Sequence, residues 1–331
     1  MINELPDLQA RIQVSLFNIL EEGDIQIRGF KLRLPLDILF VFTANPEDYT
    51  NRGSIVTPLK DRIQSQILTH YPKTLEHALE ITEQEAAIHE MQKDTVKISD
   101  LVKRLIEQVA FEARNSELVD KKSGVSARLT ISAFENAVST AERRALVNNE
   151  PVTLIWISDL AGIIPSITGK VELVYEGEQE GPFQVAMNLV DKAIRSQFIQ
   201  YFPNPEQLNK RRNTGKPSAQ QKAEENPYKP VINWFDSGNQ LHIDFNTTDA
   251  GKIQQLYQVD GLYPLVKKQF PGANETQAAL LMEFVLHGLS SYSLISKKLF
   301  ETRVEFKDLF GSMLGASAAD EYEDYGFEED E

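Results

Sequence analysis

The sequence predicts an α/β unit at the start of the chain, followed by a mostly helical remainder. Ile38–Phe42 is an unbroken apolar run rich in β-formers, and before it Leu8, Ile12, Leu16, Ile19 and Leu20 recur at helical spacing. A short apolar run without polar alternation reads as a strand buried on both faces, as in a parallel sheet covered by helices. Beyond Pro72, apolar residues fall mainly three or four apart over long windows, which is the helical period.

In order along the chain, residues 6–22 form the first helix, and Gly23 is placed to end it. Asp24 to Leu34 alternates around Gly29 and reads as a β-hairpin, with Arg28, Lys31 and Arg33 on its polar face. It either projects from the sheet or extends it. The strand Ile38–Phe42 runs out into Thr43-Ala44-Asn45-Pro46. Pro46 stops the ladder, so the Asn45 amide stands at the carboxyl end of the strand, where open α/β sheets bind ligands. Ser65–His70 is a further strand, and Pro72 punctuates.

Leu75, Leu79, Ile81 and Ala86 mark the next helix, and Ile98, Leu101, Leu105, Val109 and Ala110 another. After the polar turn Asp120–Gly124, Ser126-Ala127-Arg128-Leu129 opens a helix through Phe134, Ala137, Val138 and Ala141 to Arg144. Trp156–Ile167 is helix-like, Val171–Gly181 strand-like and acidic, and Phe183–Phe202 helical. Pro203–Pro230 reads as a linker. Its Lys210-Arg211-Arg212 cluster is either solvated or a contact for nucleic acid or an acidic partner. Val231–Leu314 reads as a second compact unit. A hairpin turned at Ser237-Gly238-Asn239 is followed by helices over Leu256–Phe270, Gln277–Leu289 and Leu294–Leu314. Ala316–Glu331 is acidic and poor in apolar bulk, the composition of a disordered tail.

Composition bounds the function. The 331 residues are 41% hydrophobic and 25% charged, as in ordinary globular proteins. There is no cysteine, which excludes disulfides and thiolate metal sites and fits a cytoplasmic setting. A net charge of −15 argues against nucleic-acid binding by the surface as a whole. No apolar run approaches the length of a membrane span. The 5 histidines are scattered without zinc spacing.

The strand ending in Thr43-Ala44-Asn45-Pro46, followed by Pro58-Leu59-Lys60-Asp61-Arg62-Ile63, resembles the sensor-1 and arginine-finger segment of AAA+ ATPases. Asn3-Glu4-Leu5-Pro6, Leu8-Gln9-Ala10-Arg11 and Leu20-Glu21-Glu22-Gly23 resemble the segment after the Walker B strand. They are similar to the sigma-54 activators, and closer to the magnesium-chelatase I-subunit and MoxR-like branch. The resemblance covers roughly residues 1–170.

This resemblance implies the C-terminal half of an AAA+ α/β core over 1–72 and an all-helical lid over 73–170. An extension over 171–202, a linker over 203–230, a mostly helical domain over 231–314 and a tail over 315–331 would follow. It implies ATP and Mg²⁺ as ligands, and a homo-oligomeric ring that remodels a protein partner. Asn45 would orient the attacking water, Arg62 would be the finger offered to a neighbouring subunit, and Arg128 would read the γ-phosphate from the lid. Arg52 competes with Arg62 for the finger role. Asn45 could instead cap a strand end, and Arg62 could pair with Asp61 or Asp48.

Two registers are open for the Walker B acids. The favoured one sets them just before Ile2, and the other makes Asn3-Glu4 a degenerate pair in which Glu4 keeps the base. The phosphate cradle is not readable. In Gly162–Lys170 six residues separate the glycines, and Val171 follows the lysine where a hydroxyl is needed. The expectation is therefore a fragment or N-terminally shortened AAA+ ATPase, inactive alone. The alternatives are a non-catalytic scaffold or interaction module on that fold, or a sigma-54-type regulator.

Overall fold

The computed structural model describes residues 1–27, 29–33, 38–45, 55–208 and 226–309. The expectations for Arg28, Leu34, Pro46, Asp48, Arg52, the Lys210–Arg212 cluster and the Ala316–Glu331 tail lie outside the described residues. The chain divides into two compact units, Met1–Tyr71 and Pro72–Glu331. Helices predominate, with small sheets in both units. Among the described residues no helix is long and apolar enough to cross a membrane.

The first unit packs around Leu5, Leu16 and Leu59. A 3-10 turn, Leu5–Asp7, precedes helix α1 (Ala10–Phe17), which passes into a π turn over Asn18–Glu22. The continuous helix predicted from residue 6 is interrupted because Leu8 is extended, at ψ 132°. Gly23 follows at φ 64°, a left-handed conformation that favours glycine. The hairpin is present as β1 (Asp24–Ile27) and β2 (Phe30–Arg33), antiparallel across Gly29. One helical turn, α2 (Thr57–Lys60), carries Leu59 into the core.

The run Ile38–Phe42 departs from the expectation of a doubly buried strand. Only Phe42 is bridged, in parallel, to Ile2. Leu39 is 86% exposed, and Ile38 and Val41 are about half exposed. A strand buried on both faces needs a neighbour on each edge and a layer on each side, and the described residues supply a single bridge. Ser65–His70 likewise forms no strand, and Ile67 and Leu68 are exposed.

The second unit is built on one buried core running in sequence from Val96 to Phe306. Its elements begin with α3 (Leu75–Glu85), α4 (Glu90–Thr95), β3 (Val96–Lys97), α5 (Asp100–Asn115) and α6 (Arg128–Asn148). Thr74 caps α3 and Ser99 caps α5, each accepting a backbone N–H of its first turn. Next come β4 (Thr153–Leu154), a 3-10 turn (Ser158–Ile163), α7 (Ile164–Thr168), α8 (Tyr175–Glu180) and α9 (Pro182–Tyr201). The last group is α10 (Lys229–Asp236), β5 (Leu241–Asp244), α11 (Asp249–Leu256), α12 (Leu262–Gln269), α13 (Glu275–Ser291), β6 (Ser296–Leu299) and β7 (Arg303–Lys307).

Several expectations are corrected here. The all-helical stretch 73–170 contains a parallel pair, β3 with β4. Val171–Gly181 holds α8 rather than a strand. Trp234 and Phe235 lie in α10, not in a hairpin, because Val231 and Phe235 bury four residues apart. β5 pairs with β7, and β6 lies on the other side of β7. The helix predicted over Leu294–Leu314 is replaced over its described part by β6 and β7. There Val304 and Phe306 bury at the strand period of two.

The segments expected as a lid and a separate C-terminal domain share this core, and a buried ionic network joins them. The Arg144 guanidinium in α6 donates to Asp159 at 2.9 Å and to Asp249 at 2.6 Å. Asp249 also accepts from Thr153 Oγ1, the Leu154 N–H and Trp156 Nε1. Lys252, fully buried, donates to Ser158 Oγ at 2.8 Å. Glu283 accepts the N–H groups of Ile157 and Ser158 at 2.8 and 3.1 Å. Gly288 lets α13 approach α9, since a Cβ there would stand 2.2 Å from the Phe198 ring.

Candidate functional site

The site is assembled where Ile2 and Phe42 run side by side. The Ile2 N–H donates to Val41 O at 2.8 Å, and the Thr43 N–H donates to Ile2 O at 3.0 Å. Past this bridge the two segments exchange further bonds. The Glu4 N–H donates to Thr43 Oγ1 at 3.0 Å, and the Leu5 N–H donates to Thr43 O at 2.9 Å. These bonds bring the Glu4 carboxylate against the Asn45 amide, whose Nδ2 donates to Glu4 Oε2 at 3.3 Å across 41 residues of sequence. Glu4 and Asn45, both named from the sequence, are thus neighbours. Met1 is 82% exposed.

Glu4 is held at φ 52°, ψ 55°, in the left-handed region. A side chain there costs roughly 1–3 kcal/mol, and such strain persists only where the surroundings impose it. The Thr43 bonds on either side impose it here. Both partners remain open to solvent, so the pair is accessible to a ligand.

Arg62 follows α2 and packs on the same small core. Gln13, buried in α1, bonds Leu8 O with its Nε2 and accepts the Val56 N–H at 2.9 Å, which fixes the approach to α2. The Arg62 guanidinium is engaged within the unit. Nη2 donates to Glu21 Oε2 at 3.0 Å, Nη1 donates to Pro58 O at 2.6 Å, and the group lies 5.2 Å from the centre of the Phe17 ring. Its Nε stands 2.8 Å from Glu21 Oε1 as an ion-pair contact without hydrogen-bond alignment. Glu21, not the anticipated Asp61, is thus the partner of Arg62 among the described residues.

Arg128 belongs to the second unit. It is the first residue of α6, is exposed, and makes no ion pair among the described residues. A cation in a first helical turn opposes the helix dipole, so local electrostatics do not explain its place.

The implied Mg²⁺ does not fit what is formed here. Among the described residues no three His, Cys, Asp or Glu side chains gather into a metal site. Near Glu4 the other polar groups are Thr43, Asn3 and Asn45, all neutral.

Sequence reasoning named Glu4, Asn45, Arg62 and Arg128 as candidates but missed the contacts that Thr43 makes to Glu4, Gln13 to the approach of α2, and Glu21 to Arg62. Thr43 and Glu21 stood within the motifs quoted, and a polar Gln13 on the apolar side of α1 was a readable signal. No family model matches the chain, and no curated protein or solved structure matches it either.

Proposed function

We propose that the first unit supplies the water-positioning and arginine-donating part of an AAA+-type nucleoside-triphosphate hydrolysis site. It resembles the magnesium-chelatase I-subunit and MoxR-like branch, in which hydrolysis drives the remodelling of a protein partner by a ring. The observation that carries the reading is the strained Glu4, with its carboxylate held against the Asn45 amide at the carboxyl end of a parallel bridge. An amide and a carboxylate side by side, 3.3 Å apart, can both bond one water seated against the pair. Asn45 orients it and Glu4 accepts its proton as the oxygen attacks the γ-phosphorus and the bond to the leaving diphosphate breaks. Arg62, released from Glu21, offsets charge growing on the phosphoryl oxygens of a neighbouring subunit's nucleotide. For Arg128 the resemblance implies a γ-phosphate contact. The described residues form no site for Mg²⁺.

The test is Glu4→Gln in a ring that contains this segment. ATP should still bind, while turnover falls by about 10²-fold or more, as on loss of a general base. Unchanged turnover would sink the reading. A second reading, a non-catalytic interaction module on the same fold, is favoured by the engagement of Arg62 with Glu21. It predicts equal behaviour of parent and variant in every turnover assay.

A further inference from the structure

His287 lies on the buried face of α13, and neither of its ring nitrogens has a hydrogen-bond partner among the described residues. The ring stands edge-on to Phe306, with centroids 5.1 Å apart. An aromatic face can receive an N–H, but it cannot serve the nitrogen that bears a lone pair. Burial holds the imidazole well below its ordinary pKa, helped by Lys297 and Lys252, so the ring is neutral and carries one donor and one acceptor.

A cavity of about 20 Å³ adjoins the ring. Leu160, Ile194 and Val304 form part of its apolar wall, and His287, Lys297 and Ser158 supply its polar groups. Lys297 comes from β6 and its ammonium pairs with Asp191 of α9. That pair balances the charge and leaves further ammonium donors. The Ser158 hydroxyl is engaged, since it accepts from Lys252.

Three properties of the occupant follow. It is uncharged, because the local charges are balanced. It both donates and accepts, because the lone-pair nitrogen of the imidazole lacks a donor and the ammonium has donors to spare. It is no larger than a water, because about 10–15 Å³ of such volume holds one. We infer that this cavity is a site for a single water molecule that accepts from Lys297 and donates to the lone-pair nitrogen of His287. The water joins the edge strand β6 to α13 and so fastens the three-stranded sheet to the helices beneath it.

The experiment is a crystal structure of the full chain at a resolution that shows ordered water, repeated under xenon pressure. A water peak within about 3.2 Å of both a His287 ring nitrogen and Lys297 Nζ is expected, with no xenon in the cavity. A dry cavity that takes up xenon, as purely apolar cavities do, overturns the inference. A side chain from elsewhere in the sequence bonded to His287 overturns it equally. A second measurement needs no variant. The ring ¹⁵N resonances of His287 should report a neutral imidazole with a hydrogen-bonded acceptor nitrogen and an exchange peak to a long-lived water. A non-bonded acceptor nitrogen without that peak counts against the site.

Discussion

Arg62 and Glu21 are 30% and 53% exposed at their side chains, and so their ion pair is worth little, about 0–1 kcal/mol after screening. A weak partner is what a transferable arginine requires, because a phosphate on a neighbouring subunit can displace it. In a ring containing this segment, Arg62→Ala is expected to lower turnover about 10³-fold or more while nucleotide binding and the thermal midpoint change little. Normal turnover by that variant would refute the assignment. A different kind of residue is Glu107 in α5. It is buried, Oε1 has no partner among the described residues, and burial raises its pKa against hydrogen bonds from Thr82 and Thr130. The folded chain therefore holds this proton more tightly than the unfolded one. The stabilisation from this group is complete below the unfolded value of 4.5 and is lost as pH rises through the folded pKa. Glu107→Gln should gain stability over the parent as the pH is raised above that value, by comparison of urea midpoints. A constant difference at all pH values would show that Glu107 does not titrate in the folded chain. Residue types at motif spacing made Glu4, Asn45 and Arg62 legible in the sequence. The strain at Glu4 and the Glu21 pair were not legible, because both depend on contacts across about forty residues.

At the scale of elements, legibility followed length. α5, α6, α9 and α13 each run for many turns, and their periodic apolar faces were readable. β6 and β7 have four and five residues, too few to separate a period of two from one of 3.6, whereas the alternation that gives β5 reads as an arm of the hairpin after Asn239. The join between α6 and α11 left no sequence signal at all, since Arg144 and Asp249 look like ordinary surface charges until they meet. Arg144→Ala would leave the partly buried Asp249 without its cation, and Asp159, at 1% exposure, with Lys252 alone at 3.7 Å. Removing one partner of a buried pair costs about 3–5 kcal/mol. Urea denaturation should show a loss of that size, whereas a loss under about 1 kcal/mol, the range of surface pairs, would mean that water reaches the network.

For the whole molecule, a nucleoside triphosphate is held chiefly by a glycine-rich loop whose N–H groups surround the phosphates at a helix N-terminus. The only sequence hint of such a loop, Gly162–Lys170, instead crosses the 3-10 turn and α7, and Gly162 is pressed against Thr140. In the proposed reading the remaining candidate groups would act on a phosphate already bound. The 331-residue chain by itself is therefore expected to bind ATP no better than millimolar, on the order of −4 kcal/mol, by calorimetric titration with ATP and Mg²⁺. Micromolar affinity would show a phosphate site that the sequence did not reveal. The exposed Leu39, Ile67 and Leu68 of the first unit belong to the same scale: they are apolar surface that a partner layer would cover.

The ionic network also sets an order of events during synthesis. Arg144 meets Asp249 across 105 positions, and Ile157 meets Glu283 across 126. Until Asp249 has been made, Arg144 lacks one of its two carboxylates, and until Glu283 has been made the Ile157 and Ser158 N–H groups lack their acceptor. Long-range closure of this kind slows folding and lengthens exposure to wrong partners. A nascent chain halted anywhere between Asp159 and Glu283 would hold the Arg144–Asp159 pair but lack the carboxylate that accepts the Ile157 and Ser158 N–H groups.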